Sequence, residues 1–369
     1  MNDPFERRTR ASQQALRDHG AAGLVLFPGP NLYYLTGLDV EPSERYFLFI
    51  VPADGTPILF IPAMAEPRVR EETWVERVVA YSDESSPRDR LEQLLLNGDL
   101  GSGRILVDDH LWARFTLTLR SILRDRSFGL ASEVMETLRI RKDDTEREAM
   151  RAAATLTDEV CAALRESVDV LGRTETALAR EIEDRQRAAG GAGQAFETIV
   201  AAGPNGARPH HGHGDRMIRA GDPVVFDFGT VLNNYVSDQT RTMVFHGEPP
   251  REFESVFDAV IAAQHAAVEA VAPGVTCASV DRAARSEIAD RGYGDAFVHR
   301  TGHGVGLEVH EPPYIVAGND RELEPGMVFS VEPGAYLEGH FGVRIEDLVI
   351  VTHEGCERLN DSPREWRVR

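Results

Sequence analysis

Two aspartates, Asp227 and Asp238, stand in the stretch 224–244, each within one of two apolar runs that flank a polar Asn233-Asn234 pair. The pattern predicts a β-hairpin in which the two aspartates lie directly opposite each other, with Cβ atoms about 5 Å apart. Two like charges so close together in an apolar hairpin repel each other and lose hydration. A pair of divalent cations would offset both costs, so the hairpin predicts a metal site.

A second stretch, 328–351, repeats the pattern with two glutamates. Glu332 and Glu346 are symmetric about Gly339, so a hairpin that turns at this glycine would again oppose two carboxylates. The segment 299–311, between the two stretches, supplies histidines. Two Asp, two Glu and one His form a hard, oxygen-rich ligand set for Mn²⁺, Co²⁺, Fe²⁺ or Zn²⁺ in a dinuclear site. Two such ions about 3.5–4 Å apart activate a water for hydrolysis.

The order of the motifs resembles that of the pita-bread metallopeptidases, a family that includes prolidase, aminopeptidase P, methionine aminopeptidase and creatinase. The motifs are D-x-G at 227–229, Y-x-S-D-x-T-R-T at 235–242, T-G-H-G-x-G-L-x-V-H-E at 301–311, E-P-G-x-Y at 332–336 and G-V-R-I-E-D at 342–347. The resemblance fills all five metal-ligand positions of the family, which are here Asp227, Asp238, His303, Glu332 and Glu346.

The resemblance also implies roles for the residues around the metal. It implies two divalent ions, with Mn²⁺ as the first expectation, and Glu332 as the general base that takes a proton from water. His310 is expected to stabilise the oxyanion or the substrate amide, and His210, in a Pro-His pair, to contact the substrate. Arg344 precedes Glu346 by two residues and so shares its face of a strand. It is expected to hold that carboxylate or to bind a carboxylate of the substrate.

Strands and helices alternate before residue 139, which predicts an α/β domain at 1–138. This part resembles the N-terminal domain of creatinase and prolidase. Residues 139–369 are expected to form an α+β pita-bread catalytic domain. At its start, Thr145 with Glu148 three residues later predicts the N-cap of a long helix.

Composition excludes several classes of protein. The net charge is −20 and Lys142 is the only lysine, which disfavours nucleic acid and anionic membranes as partners. Either a salty cytoplasm or a GC-rich genome would account for this composition. No run of about 18 apolar residues and no apolar signal core is present, so a cytoplasmic enzyme is expected. The three cysteines form no CxxC pair and are not expected to be ligands.

The expected function is hydrolysis of the bond that precedes proline in a peptide substrate. A dipeptidase of the prolidase type is favoured over an aminopeptidase P because the chain is short. A metal-dependent hydrolase of a non-peptide small molecule and a non-catalytic binding module are the alternatives, and the complete ligand set argues against the second. A homodimer is expected from the resemblance alone. His211 and His213, next to His210, are expected to be solvated loop residues.

Overall fold

A computed structural model describes residues 3–84, 86–97 and 100–368. The chain divides into two compact units, Met1–Arg139 and Ile140–Arg369. Within the described ranges, no helix combines the length and the apolar character that a membrane crossing requires.

The first unit is an α/β layer built on one mixed sheet. Its helices are α1 (Pro4–Asp18), α2 (Pro30–Thr36), α3 (Glu66–Glu72), α4 (Pro87–Leu96), α5 (Ala113–Ile122) and α6 (Ser132–Arg139). Its strands are β1 (Ala21–Leu26), β2 (Leu48–Pro52), β3 (Ile58–Pro62), β4 (Arg77–Tyr81), β5 (Arg104–Val107) and β6 (Phe128–Leu130). The strand order is β4-β3-β2-β1-β5-β6, with β1–β5, β5–β6 and β3–β4 parallel. The adjacent inner strands β2 and β3 are buried along their whole length, as their uninterrupted apolar sequences require.

The second unit carries the two longest helices and, among its described residues, four small sheets. Its helices are α7 (Asp144–Glu166), α8 (Glu175–Ala188), α9 (Phe253–Glu269) and α10 (Cys277–Asp290). Its first strands are β7 (Gly193–Gln194), β8 (Ile199–Ala202), β9 (Pro223–Phe228), β10 (Thr230–Leu232), β11 (Tyr235–Val236) and β12 (Gln239–Phe245). The later strands are β13 (Gly302–Gly304), β14 (Glu311–Ile315), β15 (Val328–Val331), β16 (Gly334–Leu337), β17 (Phe341–Arg344), β18 (Asp347–Val351), β19 (Cys356–Arg358) and β20 (Arg367–Val368). The sheets have the orders β11-β10-β7, β20-β12-β9-β8, β14-β13-β15-β18-β19 and β16-β17.

Helix α7 starts two residues earlier than the sequence pattern predicted. Its N-cap is Asp143, whose side chain accepts a hydrogen bond from the Glu146 amide, while the Glu146 carboxylate accepts one from the Asp143 amide. This reciprocal pair is a capping box of the same three-residue spacing. The predicted cap at Thr145 is therefore wrong, because an acidic residue with a suitably spaced glutamate already stood upstream.

The first carboxylate hairpin turns at residues 233–234. Both asparagines have positive φ angles, 51° and 66°, as a two-residue type I′ turn requires. This turn pairs Asp227 with Thr240 in the β9–β12 ladder. The predicted direct opposition of Asp227 and Asp238 is therefore wrong. Asp238 lies two residues before Thr240, so the two aspartates are diagonal neighbours on one face, a wider spacing that a metal ion can still bridge.

The second carboxylate hairpin has the predicted register. The β15–β18 and β16–β17 ladders are both symmetric about Gly339, which has a φ of 75° at the turn. Glu332 and Glu346 face each other where the pairing is interrupted between the two ladders. The same two chain segments thus pass from a five-stranded sheet into a two-stranded one, with a carboxylate on each side of the passage.

Candidate metal centre

The predicted metal ligands line one cavity of about 500 Å³ in the second unit. One potential ligand atom from each of Asp238, His303 and Glu346 lies within 4.8 Å of the others. The Nε2 atom of His303 is 3.2 Å from Oε1 of Glu332 and 3.8 Å from Oδ2 of Asp238. Asp227 lines the same cavity from the end of β9. The fold therefore gathers four carboxylates and one imidazole that are spread over about 120 residues of sequence.

The glycines on both sides of His303 are required by the close approach of neighbouring strands. A Cβ atom at Gly302 would lie 1.8 Å from the carbonyl oxygen of Ser330, and one at Gly304 would lie 2.3 Å from that of Glu311. Both distances are far below van der Waals contact with backbone atoms that cannot move independently. The G-H-G sequence thus lets β13 pack between β14 and β15 with the imidazole pointing into the cavity.

The two glutamates are fixed by backbone hydrogen bonds at the interruption of their own hairpin. The Glu332 amide donates to the carbonyl of Thr301 at 2.8 Å, and the Glu346 amide donates to that of Thr240 at 3.1 Å. Each glutamate is thereby tied to a segment that carries another predicted ligand, since Thr301 lies two residues before His303. These two hydrogen bonds therefore link the glutamate hairpin to the segments that carry His303 and Asp238.

Burial and mutual repulsion dominate the electrostatics of three of the carboxylates. Burial, followed by the negative charges of Glu346 and Asp227, raises the pKa of Asp238 well above its usual range. Burial, followed by the charges of Glu332 and Asp227, does the same to the pKa of Glu346. Burial also raises the pKa of Asp227, against the opposing effect of a nearby guanidinium. For Glu332 burial is outweighed by a hydrogen bond with His303 and by neighbouring positive charges, which lower its pKa to about 2.

The donor set fits divalent metal ions. One oxygen of each of Asp227, Asp238 and Glu346 is buried without a hydrogen-bond donor among the residues that the structure describes. A buried carboxylate oxygen without a donor is costly unless a cation compensates it. Oxygen ligands in excess over a single imidazole favour hard or borderline ions.

Arg344 binds Asp227, and not Glu346 as one of the two predictions had it. Its Nη2 atom forms an ion pair with Oδ2 of Asp227, its Nη1 donates to the Tyr336 hydroxyl at 2.8 Å and its Nε donates to Oγ1 of Thr240 at 3.1 Å. Thr240 in turn donates to Oε2 of Glu346 at 2.6 Å. The arginine therefore fixes one carboxylate directly and reaches the other only through a hydroxyl. The prediction assumed that residues two apart, which share a face of the strand, bond to each other. It failed because the long arginine side chain bonds to a residue of another strand instead.

Tyr336 and His299 complete a hydrogen-bonded chain that the sequence analysis did not single out. The Tyr336 hydroxyl lies 2.8 Å from His299 Nε2, and His299 Nδ1 lies 2.7 Å from the carbonyl oxygen of Arg300. Because a carbonyl only accepts, Nδ1 carries the proton and Nε2 accepts from the tyrosine. Burial lowers the pKa of His299, which favours this neutral form. The available signal was the Y of E-P-G-x-Y, four residues after Glu332.

The predicted substrate-contacting histidines lie at the edge of the cavity. His210 is exposed and lines the cavity next to Pro209. The ring of His310 is inclined at 72° to that of His303, with the ring centres 4.4 Å apart. Desolvation, followed by the charges of His303 and Arg300, lowers the pKa of His310 to about 4. The imidazole is therefore neutral at pH 7, and in that form it keeps one N–H that can donate to an oxyanion.

The two histidines that follow His210 are not freely solvated. His211 Nε2 lies 3.2 Å from Oε2 of Glu175, and His213 Nδ1 lies 3.1 Å from Oγ1 of Thr176. Both partners stand in the first turn of α8. The expectation of solvated loop histidines is wrong, because these side chains fasten the loop that presents His210.

Comparisons with known proteins identify both parts of the chain. Residues 148–353 match metallopeptidase family M24, and residues 8–141 match the creatinase/prolidase N-terminal domain. A probable dipeptidase PepE of Mycobacterium tuberculosis is 42% identical over 365 residues, which cover 98% of this chain and 96% of the relative.

Solved structures are similar over the whole chain. A prolidase crystal structure from Thermococcus sibiricus has a TM-score of 0.93 at 38% identity and covers 100% of both chains. An X-Pro aminopeptidase structure from Thermotoga maritima has a TM-score of 0.84 at 30% identity and covers 96% of this chain and 100% of that one. These likenesses confirm the predicted fold class, a creatinase-like α/β domain followed by a pita-bread domain. The chain belongs to the metal-dependent peptidases of family M24, in the branch that carries the creatinase/prolidase N-terminal domain.

Proposed function

We propose that this protein is a dinuclear-metal-dependent Xaa-Pro dipeptidase. The observation that carries the proposal is the convergence of four carboxylates and His303 on one cavity, with three carboxylate oxygens buried without donors among the described residues. The relatives support a dipeptidase, since the probable dipeptidase PepE is 42% identical and the prolidase of Thermococcus sibiricus has the higher TM-score of the two solved structures, 0.93 against 0.84.

All five predicted ligands would bind metal in the proposed site. Asp227, Asp238, His303, Glu332 and Glu346 would hold the two ions, and Mn²⁺ is the ion we propose, because carboxylate oxygens dominate the set. A bound pair of such ions supplies Lewis-acid activation of water and polarises the scissile carbonyl. The four carboxylates carry four negative charges, which match two divalent ions. The bound ions would offset both the burial and the mutual repulsion that raise the pKa values of Asp238 and Glu346.

The proton would move through Glu332. Its side chain is 14% exposed, against 11% for Asp227 and 5% for Asp238, so it is the least buried of these three carboxylates. In the proposed reaction Glu332 accepts the proton of the attacking water and returns it to the imino nitrogen of the departing proline. That nitrogen belongs to a tertiary amide and has no proton of its own, so protonation is needed before it leaves.

Two histidines would position the substrate, and one arginine would orient a metal ligand. His310, neutral and next to His303, would donate a hydrogen bond to the carbonyl oxygen as negative charge develops there. His210, exposed in the loop at 208–214, would contact the substrate beyond the scissile bond. Arg344 is bonded to Asp227 and would act by orienting that carboxylate rather than by binding substrate.

Three apolar side chains, those of Phe196, Ile199 and Val309, line the same cavity and suit the prolyl ring or an apolar first residue.

A reconstitution assay tests the proposal. Metal-free protein is loaded with Mn²⁺, Co²⁺ or Zn²⁺ and given an Xaa-Pro dipeptide and an Xaa-Pro-Xaa tripeptide in parallel. We expect cleavage of the dipeptide to be the faster. Faster cleavage of the tripeptide would instead make the protein an Xaa-Pro aminopeptidase, and cleavage of neither would favour a hydrolase of a non-peptide substrate.

We also propose that the enzyme is a cytoplasmic homodimer. The free state of its three cysteines is compatible with a reducing compartment. The dimer is proposed from the family resemblance, and sedimentation equilibrium at micromolar concentration tests it through the mass of the particle.

A further inference from the structure

Two arginines, Arg300 and Arg344, line the cavity, and they differ in how many of their N–H groups already donate hydrogen bonds to the protein. Arg344 is buried and donates to Asp227, to Thr240, to Tyr336 and to the carbonyl oxygen of Pro209. Arg300 is half-buried and has no carboxylate within ion-pair distance among the residues that the structure describes. A guanidinium carries five N–H donors in a planar fork. Arg300 is therefore the cavity cation whose donors remain available to a ligand.

The position of the Arg300 guanidinium is set by an aromatic ring. Its central carbon lies 4.7 Å from the ring centre of Tyr314. Tyr314 pairs with His303 in the antiparallel β13–β14 ladder, and directly paired residues present their side chains on the same face. The guanidinium thus lies over the face that carries His303, and its charge is one of the causes that lower the pKa of His310. Stacking on a ring orients a guanidinium without using its N–H donors.

A planar, two-oxygen anion is the partner that such a fork binds best. Resting on the proposed function, we infer that Arg300 binds the C-terminal carboxylate of the substrate and so selects dipeptides. In an Xaa-Pro dipeptide the carboxylate carbon is three bonds from the scissile carbonyl carbon, at most about 4 Å away. A cation on the rim of the reaction cavity can therefore sense whether the chain ends at this proline. A longer peptide or an amide offers a neutral carbonyl in the same place.

The test compares Ala-Pro with Ala-Pro-amide for the wild-type enzyme, Arg300→Gln and Arg321→Gln. Arg321 is exposed, does not line the cavity and gives the same change of net charge. For Arg300→Gln we expect KM for Ala-Pro to rise about 10- to 100-fold, the range for loss of a charge-assisted hydrogen bond. Its kcat should change by less than about threefold, and KM for the amide should stay unchanged. Inhibition by free proline, but not by prolinamide, should weaken in parallel.

The outcomes separate this inference from the proposed function. Equal losses on Ala-Pro and its amide would overturn the carboxylate role, because a disturbed cavity affects both substrates. An unchanged KM for Ala-Pro in Arg300→Gln would overturn it too, while leaving the dipeptidase intact. If the wild-type enzyme cleaves neither substrate with any metal, the proposed function falls and the inference falls with it. Arg300→Lys should recover only part of the affinity, since an ammonium keeps the charge but loses the fork and the stacking.

Discussion

Replacement of Lys142 by methionine should destabilise the second unit strongly. The Nζ atom of Lys142 lies 2.7 Å from Oε1 of Glu311, and the two side chains are only 1% and 6% exposed. The pair packs directly on the backbone of Gly306, where a Cβ atom would lie 2.6 Å from Oε1 of Glu311 and 2.9 Å from Cε of Lys142. Removing one partner of a buried ion pair costs about 3–5 kcal/mol, because the other charge keeps its desolvation penalty.

A half-exposed pair in the same unit provides the matched control. Arg151 donates from Nε and Nη2 to both oxygens of Glu357 at 2.7 Å, and both side chains are 41% exposed. A pair in this position contributes only about 0–1 kcal/mol in spite of its good geometry. Arg151→Met also exchanges a long cation for methionine, so the two variants should differ by about 3 kcal/mol if burial is the cause. The double variant Lys142→Met/Glu311→Leu should regain most of the loss, since it removes both charges.

Urea unfolding measures the effect if the two units are observed separately. Trp74 and Trp112 belong to the first unit, and Trp366 packs on Phe253 in the core of the second. In a background with the first two tryptophans replaced by phenylalanine, the fluorescence of Trp366 reports the second unit alone. Equal costs for Lys142→Met and Arg151→Met, or no recovery in the double variant, would refute the argument from burial.

Three further predictions concern the metal site. Glu332→Gln should lower kcat about 10²- to 10⁴-fold with an unchanged circular dichroism spectrum, and near-normal turnover would contradict its role as general base. Tyr336→Phe removes a hydroxyl that accepts from Arg344, so metal affinity measured by chelator competition or kcat/KM should fall about 10-fold; if neither changes, Arg344 holds Asp227 without this support. Asp238→Ala should reduce the number of metal ions bound per chain in elemental analysis, whereas an unchanged stoichiometry would remove this residue from the ligand set.

Local sequence patterns predicted which residues form the site, but they did not predict the contacts between residues far apart in the sequence. The two carboxylate pairs and His303 do line one cavity, and the glutamate hairpin has the predicted register. The aspartate hairpin does not, because its register depends on turn geometry and a type I′ turn at 233–234 moves the pairing. The roles of the individual residues stay predictions until the variants are measured.

Contacts between residues far apart in the sequence produce no periodic pattern from which they could be predicted. Lys142 and Glu311 are 169 residues apart, and Arg344 meets Asp227 across 117 residues. Alternation with a period of two says which face a side chain occupies, but not which other strand it meets. Arg300 and Tyr314 likewise come together only because β13 and β14 pair. The chemistry of the donor set was therefore readable from the sequence, whereas the residues that orient it were not.

Strand pairing is interrupted at Glu332 and Glu346, between the β15–β18 and β16–β17 ladders, and this has a consequence for amide hydrogen exchange. The amides of Glu332 and Glu346 are bonded to Thr301 and Thr240, which belong to other motifs, so neither amide can exchange by fraying of its own hairpin. Their exchange should require opening of the whole second unit, and it should stay slow after the metal is removed with a chelator. In the loop at 208–214, the amides of His210, Gly212 and His213 donate to no acceptor among the described residues, so they should exchange much faster. The fold itself would then keep the metal-binding carboxylates in place, while single amides of the fastened loop that presents His210 open without it.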